Sequence, residues 1–470
     1  AAIQFYIGLD GFNVWLVVLT AVLSLPSVLV SWRQITERVN EFYAWFLALQ
    51  TAMMGIFLSF DIMLFYVFFE FSLVPLFFLI GIWGGPERRH AAGKFFIYTL
   101  AGSLITLLGV IGVVLACRAK SGELTFAIPR LVEIVHERLT IPAERDYWLG
   151  VQSVVFLALM AGFAIKVPLI PFHTWLPLAH VEAPTAGSVD LAGVLLKVGA
   201  YGFLRLCVPL APDVSLVLGL PLVSTLAAVG IIYGAFCSYA QDDIKKMVAY
   251  SSVSHLGLCM LGMFALNPAG LSGSLMQMIN HGLSTGAMFL LVGMLYERYH
   301  TRKISDFGGM AGKMPLLGAF MVFVCLSSVG LPGLNGFIGE ALALFGVFEQ
   351  QWLVQRQFPW YAIAGAAGMV LGAWYLFTML QRVFFGELKE PPVVGHGNHE
   401  PITDLNLREV LTVAPIMVLC LVIGVYPQPM LDSMKPEVDG VSRIAQLARD
   451  RGGAAPAANL RAERQEERTP

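Results

Sequence analysis

Ala164-Ile165-Lys166-Val167-Pro168-Leu169-Ile170-Pro171-Phe172-His173-Thr174-Trp175-Leu176-Pro177 is an apolar run broken by three prolines and entered by a lysine. Each proline removes a backbone N–H donor and crowds the preceding turn. The carbonyls set free must meet protein or water, so irregular backbone inside a bilayer implies a lined cavity. A second break, Gly330-Leu331-Pro332-Gly333-Leu334-Asn335-Gly336, interrupts a later apolar run, with Glu340 just beyond it. Two interrupted segments, one in each half of the chain, point to a transporter built from inverted repeats. Kinked helices that merely pack are the alternative.

The composition around these breaks sets the class. Of 470 residues, 57% are hydrophobic and 13% charged, against about 25% charged in a soluble chain. The reading is an all-α polytopic membrane protein. A net charge of -2 and no basic stripe with interleaved aromatics argue against a nucleic-acid partner. The six cysteines are scattered without a C-x-x-C pair, which suits packing better than a disulfide or iron–sulfur framework. The sequence opens on Ala1 rather than Met, so its N-terminus is expected to have been removed or to lie outside this record.

About twenty apolar residues cross a bilayer. That template predicts spans near 11–31, 42–59, 61–83, 92–117, 150–178, 184–208, 216–239, 245–266, 270–296, 314–349, 360–385 and 409–429. The spans holding the proline breaks, 150–178 and 314–349, are too long for one straight helix. If the spans alternate, Arg33, Arg38, Arg88, Arg89, Lys94, Lys245, Lys246, Arg298, Arg302, Lys303 and Lys313 fall at one end, which is then cytoplasmic. The mixed-charge segment 118–149 lies on the outer side, with room for a short amphipathic helix. The tail 440–470 has few large apolar residues and is expected to be disordered, leaving 1–439 as the membrane domain.

Ionisable residues inside the apolar spans are the strongest functional signal. Each costs ~2.5–3.5 kcal/mol at a helix centre even on the mildest scales. Glu70 sits among aromatics in Phe65-Tyr66-Val67-Phe68-Phe69-Glu70-Phe71, on a side chain too short to reach either interface. Lys166 precedes the first proline, Lys197 lies mid-span, and Glu340 follows the second break. His255 and His281 lie deep in later spans, where imidazole can relay a proton in either direction. Lys245, with Asp242, Asp243 and Lys246, stands at a span entrance and could feed protons inward. Structural ion pairs and hydrogen-bonded packing histidines are the competing readings. His173 and His180 are not at i, i+4 spacing and have no supporting Cys/His cluster, so no metal site is expected. Gly368-x-x-x-Gly372 reads as close helix packing.

Four stretches carry a family resemblance. Residues 178–197, residues 243–255, the stretch from Leu331-Pro332-Gly333 to Gly339-Glu340, and Tyr426-Pro427-Gln428-Pro429 resemble the antiporter-like membrane chains of respiratory complex I. The likeness extends over almost all of 5–430. It implies fourteen helices in two inverted five-helix repeats, with discontinuous helices near 166–171 and 330–336. The twelve spans here would be helices three to fourteen, with the first two missing from this record. The first repeat would cover about 42–208, the second about 216–385, and the last helix about 409–429.

By the same resemblance, Glu70, Lys166, Lys197 and Glu340 match the family's buried charges, and His255 and His281 its connecting histidines. A Glu70–Lys166 pair would set the proton affinity of Lys197. Lys197 would then pass protons through His255 and His281 toward Glu340 and the outer face. Leu178 departs from the pattern, since relatives usually carry Asp there, which puts in doubt an acid's role at that helix end. The chain itself would hold no cofactor; FMN, iron–sulfur clusters and quinone are expected in partner subunits. Other complex I membrane subunits and the lipid bilayer are the expected partners. A bacterial inner membrane is the expected location, with the mitochondrial inner membrane as the alternative. A multi-chain cation/proton antiporter, a complex I-like membrane-bound hydrogenase and a scaffold with purely structural charges are the competing classes.

Overall fold

Every predicted span contains a helix in the computed structural model, which describes residues 3–391 and 402–466, with side chains through 452. The helices are α1 (Val14–Gln34), α2 (Val39–Leu58), α3 (Ile62–Trp83), α4 (Arg88–Ser121), α5 (Ile128–Leu139), α6 (Arg145–Lys166), α7 (Trp175–Glu182) and α8 (Thr185–Leu210). There follow α9 (Pro212–Tyr239), α10 (Ile244–Met263), α11 (Pro268–Tyr299), α12 (Pro315–Ser328), α13 (Asn335–Phe348), α14 (Trp360–Phe384), α15 (Leu407–Val425) and α16 (Gln428–Glu466). No β-strand occurs among the described residues.

Ten of these helical segments are long and apolar enough to cross a membrane. α10 is not one of them, since it carries Lys245, Lys246, three serines and His255. α12 and α13 are the two arms of the second break. Helix starts follow local chemistry. The Asp61 carboxylate accepts from the Met63 and Leu64 amides, Asp243 from Lys246, and Asn267 from Gly270, each satisfying donors that the first turn leaves free. α15 begins with a reciprocal Asn406–Glu409 capping box.

Burial separates two kinds of helix. Most spans bury 39–50% of their apolar window, whereas α8 buries 94% and α11 buries 100%. α8 carries Lys197 and α11 carries His281, so these ionisable groups sit on helices surrounded by protein. α11 lies close against α13 at glycines. A Cβ on Gly273 would strike the Ala343 backbone, one on Gly339 would meet Gln277, and one on Gly346 would strike Gly270. Gly368 likewise admits Ile231 of α9, which suits the packing reading of the Gly368–Gly372 spacing.

The expected disordered tail is corrected: α16 runs from Gln428 to Glu466, and only 467–470 of that stretch lie outside the described residues. Met434, Val438, Val441, Ala445 and Ala448 are buried. Their alternating spacing of four and three makes one apolar stripe. Composition alone missed it because two of these five residues are small alanines. The helix lies across the end of the bundle opposite the basic loops. Trp15 Nε1 donates to Ser433 Oγ (2.7 Å), Arg449 donates to Leu266 O and Gln350 Oε1, and Arg451 pairs with Asp213 (2.8 Å). The segment 118–149 supplies the amphipathic α5 at the same end.

Gly273→Val is expected to push α11 from α13 and cost about 1–3 kcal/mol or more. A lowered unfolding midpoint in detergent checks this, and an unchanged midpoint would contradict the interface.

Candidate functional site

Lys197 is held by an irregular helix. Residues 182–204 are all buried, and α8 contains wide π-helical turns at Leu191–Leu195 and Phe203–Cys207. Such turns free backbone groups and recur at functional sites. Here the Ala192 carbonyl accepts from Lys197 Nζ. The same Nζ lies 2.7 Å from His281 Nδ1 on α11. With Lys197 protonated, Nδ1 must accept, which places the imidazole proton on Nε2.

His281 opens a row of ionisable groups. Its ring lies 5.8 Å, centroid to centroid, from that of His255 on α10. His255 Nδ1 is 3.4 Å from Glu340 Oε1 on α13, and His255 Nε2 is 3.3 Å from the Tyr375 hydroxyl on α14. Gln277 Nε2 donates to Glu340 Oε1 at 3.2 Å. His281 Nε2 and Glu340 Oε2 are buried without a protein partner. Beside them His255, His281, Gln277, Asn280, Ser284 and Ser328 line a void of ≈ 10 Å³, roughly the room one water needs. The arrangement sets in one row four groups, each of a type able both to take and to release a proton.

The second break positions the far end of the row. Gly330 (φ +77°) and Gly333 (φ +92°) adopt left-handed backbone between α12 and α13, which costs non-glycine residues dearly. A Cβ on Gly330 would also collide with the Glu340 carboxylate. Asn335 and Asn280 then tie the break to α11, each side chain donating to the other's carbonyl (3.3 and 2.6 Å). The first break is closed differently. Trp175 Nε1 donates to the Ile165 carbonyl at 2.9 Å, a group left unpaired where α6 ends.

Of the predicted site residues, Lys197, His281, His255 and Glu340 come together; Glu70, Lys166 and Lys245 stand outside the row. The expected Glu70–Lys166 ion pair is not formed. Glu70 Oε1 and Lys166 Nζ are both buried and without a hydrogen-bond partner. Lys166 Nζ instead sits 5.0 Å from the Phe69 ring centroid and 5.9 Å from that of Phe95, a cation–π arrangement. The pair was implied by the resemblance alone, and here the ring of Phe69, the residue before Glu70, stands against the Lys166 ammonium instead. Lys245 is buried at the basic end, where Nζ donates to the Ala183 carbonyl at 2.6 Å. His180 lies buried with its ring stacked on Phe289 at 4.7 Å.

Sequence reasoning missed Gln277, Tyr375 and a buried Ser24–Gln50–Asp190 chain, with Ser24 donating to Gln50 and Gln50 to Asp190, both at 2.8 Å. Asp190 was detectable as an acid inside an apolar span; the neutral residues gave no such signal. Among the described residues, no group of three or more His, Cys, Asp or Glu could hold a metal ion.

The family described as NADH:quinone oxidoreductase/Mrp antiporter, TM, matches residues 59–389. The chain belongs to this family. It is 40% identical to the NADH-quinone oxidoreductase subunit M of Rhodobacter capsulatus, over 93% of this chain and 81% of that protein. It is also 40% identical to the subunit M of Pseudomonas aeruginosa, over 94% and 82%. A chain in the respiratory complex I of Thermus thermophilus with bound NADH superposes with a TM-score of 0.81 at 32% identity, over 93% of this chain and 86% of that one. An Mrp complex chain from a Dietzia species shares the fold, with a TM-score of 0.78 at 18% identity over 94% and 86%. The chain is thus an antiporter-like, multi-pass membrane subunit, and a bacterial inner membrane is where such a subunit resides.

Gly330→Ala is expected to strain the left-handed backbone and displace Glu340, lowering stability by about 1–3 kcal/mol. A thermal shift of the purified protein reads this, and wild-type stability would contradict the assigned constraint.

Proposed function

We propose that this chain is a proton-translocating membrane subunit of an NADH:quinone oxidoreductase, moving protons from the basic, cytoplasmic end to the outer face. The observation that carries the reading is the row Lys197–His281–His255–Glu340, with room for about one water between the two histidines. It crosses from one broken-helix half of the chain to the other. The inverted-repeat organisation, with a first repeat of about 42–208 and a second of about 216–385, would put the crossing at the boundary between repeats. The last membrane helix is about 409–429.

In this reading Lys197 Nζ gives a proton to His281 Nδ1, and the Nε2–H of His281 is released toward His255. His255 Nδ1 then protonates Glu340 Oε1. Glu70 and Lys166 act on the row as a switch. In the geometry here their heads are apart. When they pair, the positive field of Lys166 at Lys197 is compensated, and Lys197 holds its proton more tightly. Lys166 is well placed for this, since its Cβ packs against Gly199, two residues beyond Lys197. Lys245 would feed protons from the basic end. NADH oxidation, FMN, iron–sulfur clusters and quinone would belong to partner subunits, so this chain is part of a translocase without performing redox chemistry. Neighbouring antiporter-like chains are the proposed partners.

Lys197→Ala is expected to leave the complex assembled while abolishing most proton translocation in vesicles. Normal translocation by the assembled variant would sink the relay. Glu70→Gln is expected to lower pumping-linked turnover several-fold, whereas full activity would remove the switch. The same family description covers Mrp antiporters, and mass spectrometry of co-purifying chains separates the two. Flavin and iron–sulfur subunits support the oxidoreductase; only hydrophobic partners would support an antiporter.

A further inference from the structure

Lys197, Tyr201 and Arg205 recur every fourth residue on α8, so they form one stripe leading from the relay toward the outer end. Nothing in the relay uses the last two. Tyr201 is fully buried and its hydroxyl donates to the Phe57 carbonyl at 3.1 Å. The same oxygen accepts from Arg205 Nε at 3.0 Å. Arg205 Nη2 pairs with Asp10 at 2.6 Å, and the two side chains are 11% and 15% exposed. Three rings surround the guanidinium, those of Phe60 (4.9 Å), Tyr201 (5.2 Å) and Phe12 (5.4 Å). Glu437, Val441 and Ile444 of α16 border the shallow groove outside it.

The chemistry of the stripe changes along its length. A lysine or a histidine can give up a proton and take one back, but a guanidinium in a protein cannot be deprotonated and has no acceptor atom. Beyond Lys197 on this face of α8 come the Tyr201 hydroxyl and then a guanidinium packed in aromatic rings and paired with Asp10. Fixed arginines exclude protons and cations from pores in this way.

We propose that Arg205 seals the relay against the outer face, so that a proton on Lys197 is sent sideways to His281 rather than lost through its own half of the chain. The inference rests on the proton-relay reading above. It makes Arg205 a determinant of direction rather than a carrier.

The test uses the whole complex, purified from native membranes and reconstituted in liposomes, with assembly checked on native gels. Proton conductance is read with turnover off, and the gradient formed per NADH oxidised is read with turnover on. Arg205 lies eight residues from Lys197, about 12 Å along a helix. Removing one unit charge at that distance, at an effective dielectric near 20, changes the local proton occupancy by roughly tenfold. Arg205→Met is therefore expected to raise resting proton conductance about tenfold and to depress the gradient while NADH oxidation continues. Adding Lys197→Ala should return the conductance to the wild-type value, because the leak runs through Lys197. Asp10→Asn breaks the same ion pair but keeps the guanidinium, and should stay tight. Arg205→Gln replaces Arg205→Met if the latter does not assemble.

A tight Arg205→Met complex overturns the seal. So does an equal leak in Asp10→Asn, or a leak that survives in the Arg205→Met/Lys197→Ala double variant. None of these touches the relay itself, which fails only if the single Lys197→Ala variant pumps normally.

Discussion

A charge inside a bilayer must be surrounded by protein and given partners, and the arrangement of this molecule follows from that constraint. Lys197 and His281 ride on α8 and α11, which bury 94% and 100% of their apolar windows, while the lipid-facing helices bury about half. An ammonium facing lipid would cost several kcal/mol. Placed here it meets a carbonyl and an imidazole. The remaining helices form the wall that makes this interior possible.

The interior in turn demands irregular backbone. Wide turns in α8 bring the Ala192 carbonyl to Lys197. The glycines of the second break let the backbone leave the line of α12 and resume as α13, on which Glu340 reaches His255. Each irregularity exposes polar backbone that must be satisfied inside the fold. Trp175 does so at the first break, and the reciprocal Asn280–Asn335 bonds do so at the second. The groups that break the helices and the groups that carry charge therefore belong to one construction. Arg205, Tyr201 and Asp10 close the same construction at the outer end of α8.

Several features were legible in the residues. The twelve apolar stretches each hold a helix, and both breaks fall where the prolines and glycines put them, because these residues act on the backbone locally. The ionisable residues of the row were visible because charge is conspicuous in apolar surroundings. Gln277 and Tyr375 were not, since a glutamine or tyrosine on a membrane helix signals a partner only once the neighbouring helix is known. The α16 stripe was hidden by its alanines, which look like a polar tail in composition and like an apolar face only in period.

The sequence by itself determined that this is a multi-pass helical membrane protein with two interrupted helices and a set of buried charges. Hydropathy and backbone restriction are properties of short stretches, so they need no knowledge of the rest of the chain. The tertiary structure alone decided which charges meet. Lys197 finds His281 across 84 residues, while Glu70 and Lys166 stand apart with Phe69 against the ammonium. The outcome depends on how each helix is rotated about its axis, and that rotation is set by the packing of the neighbours rather than by anything written within the helix.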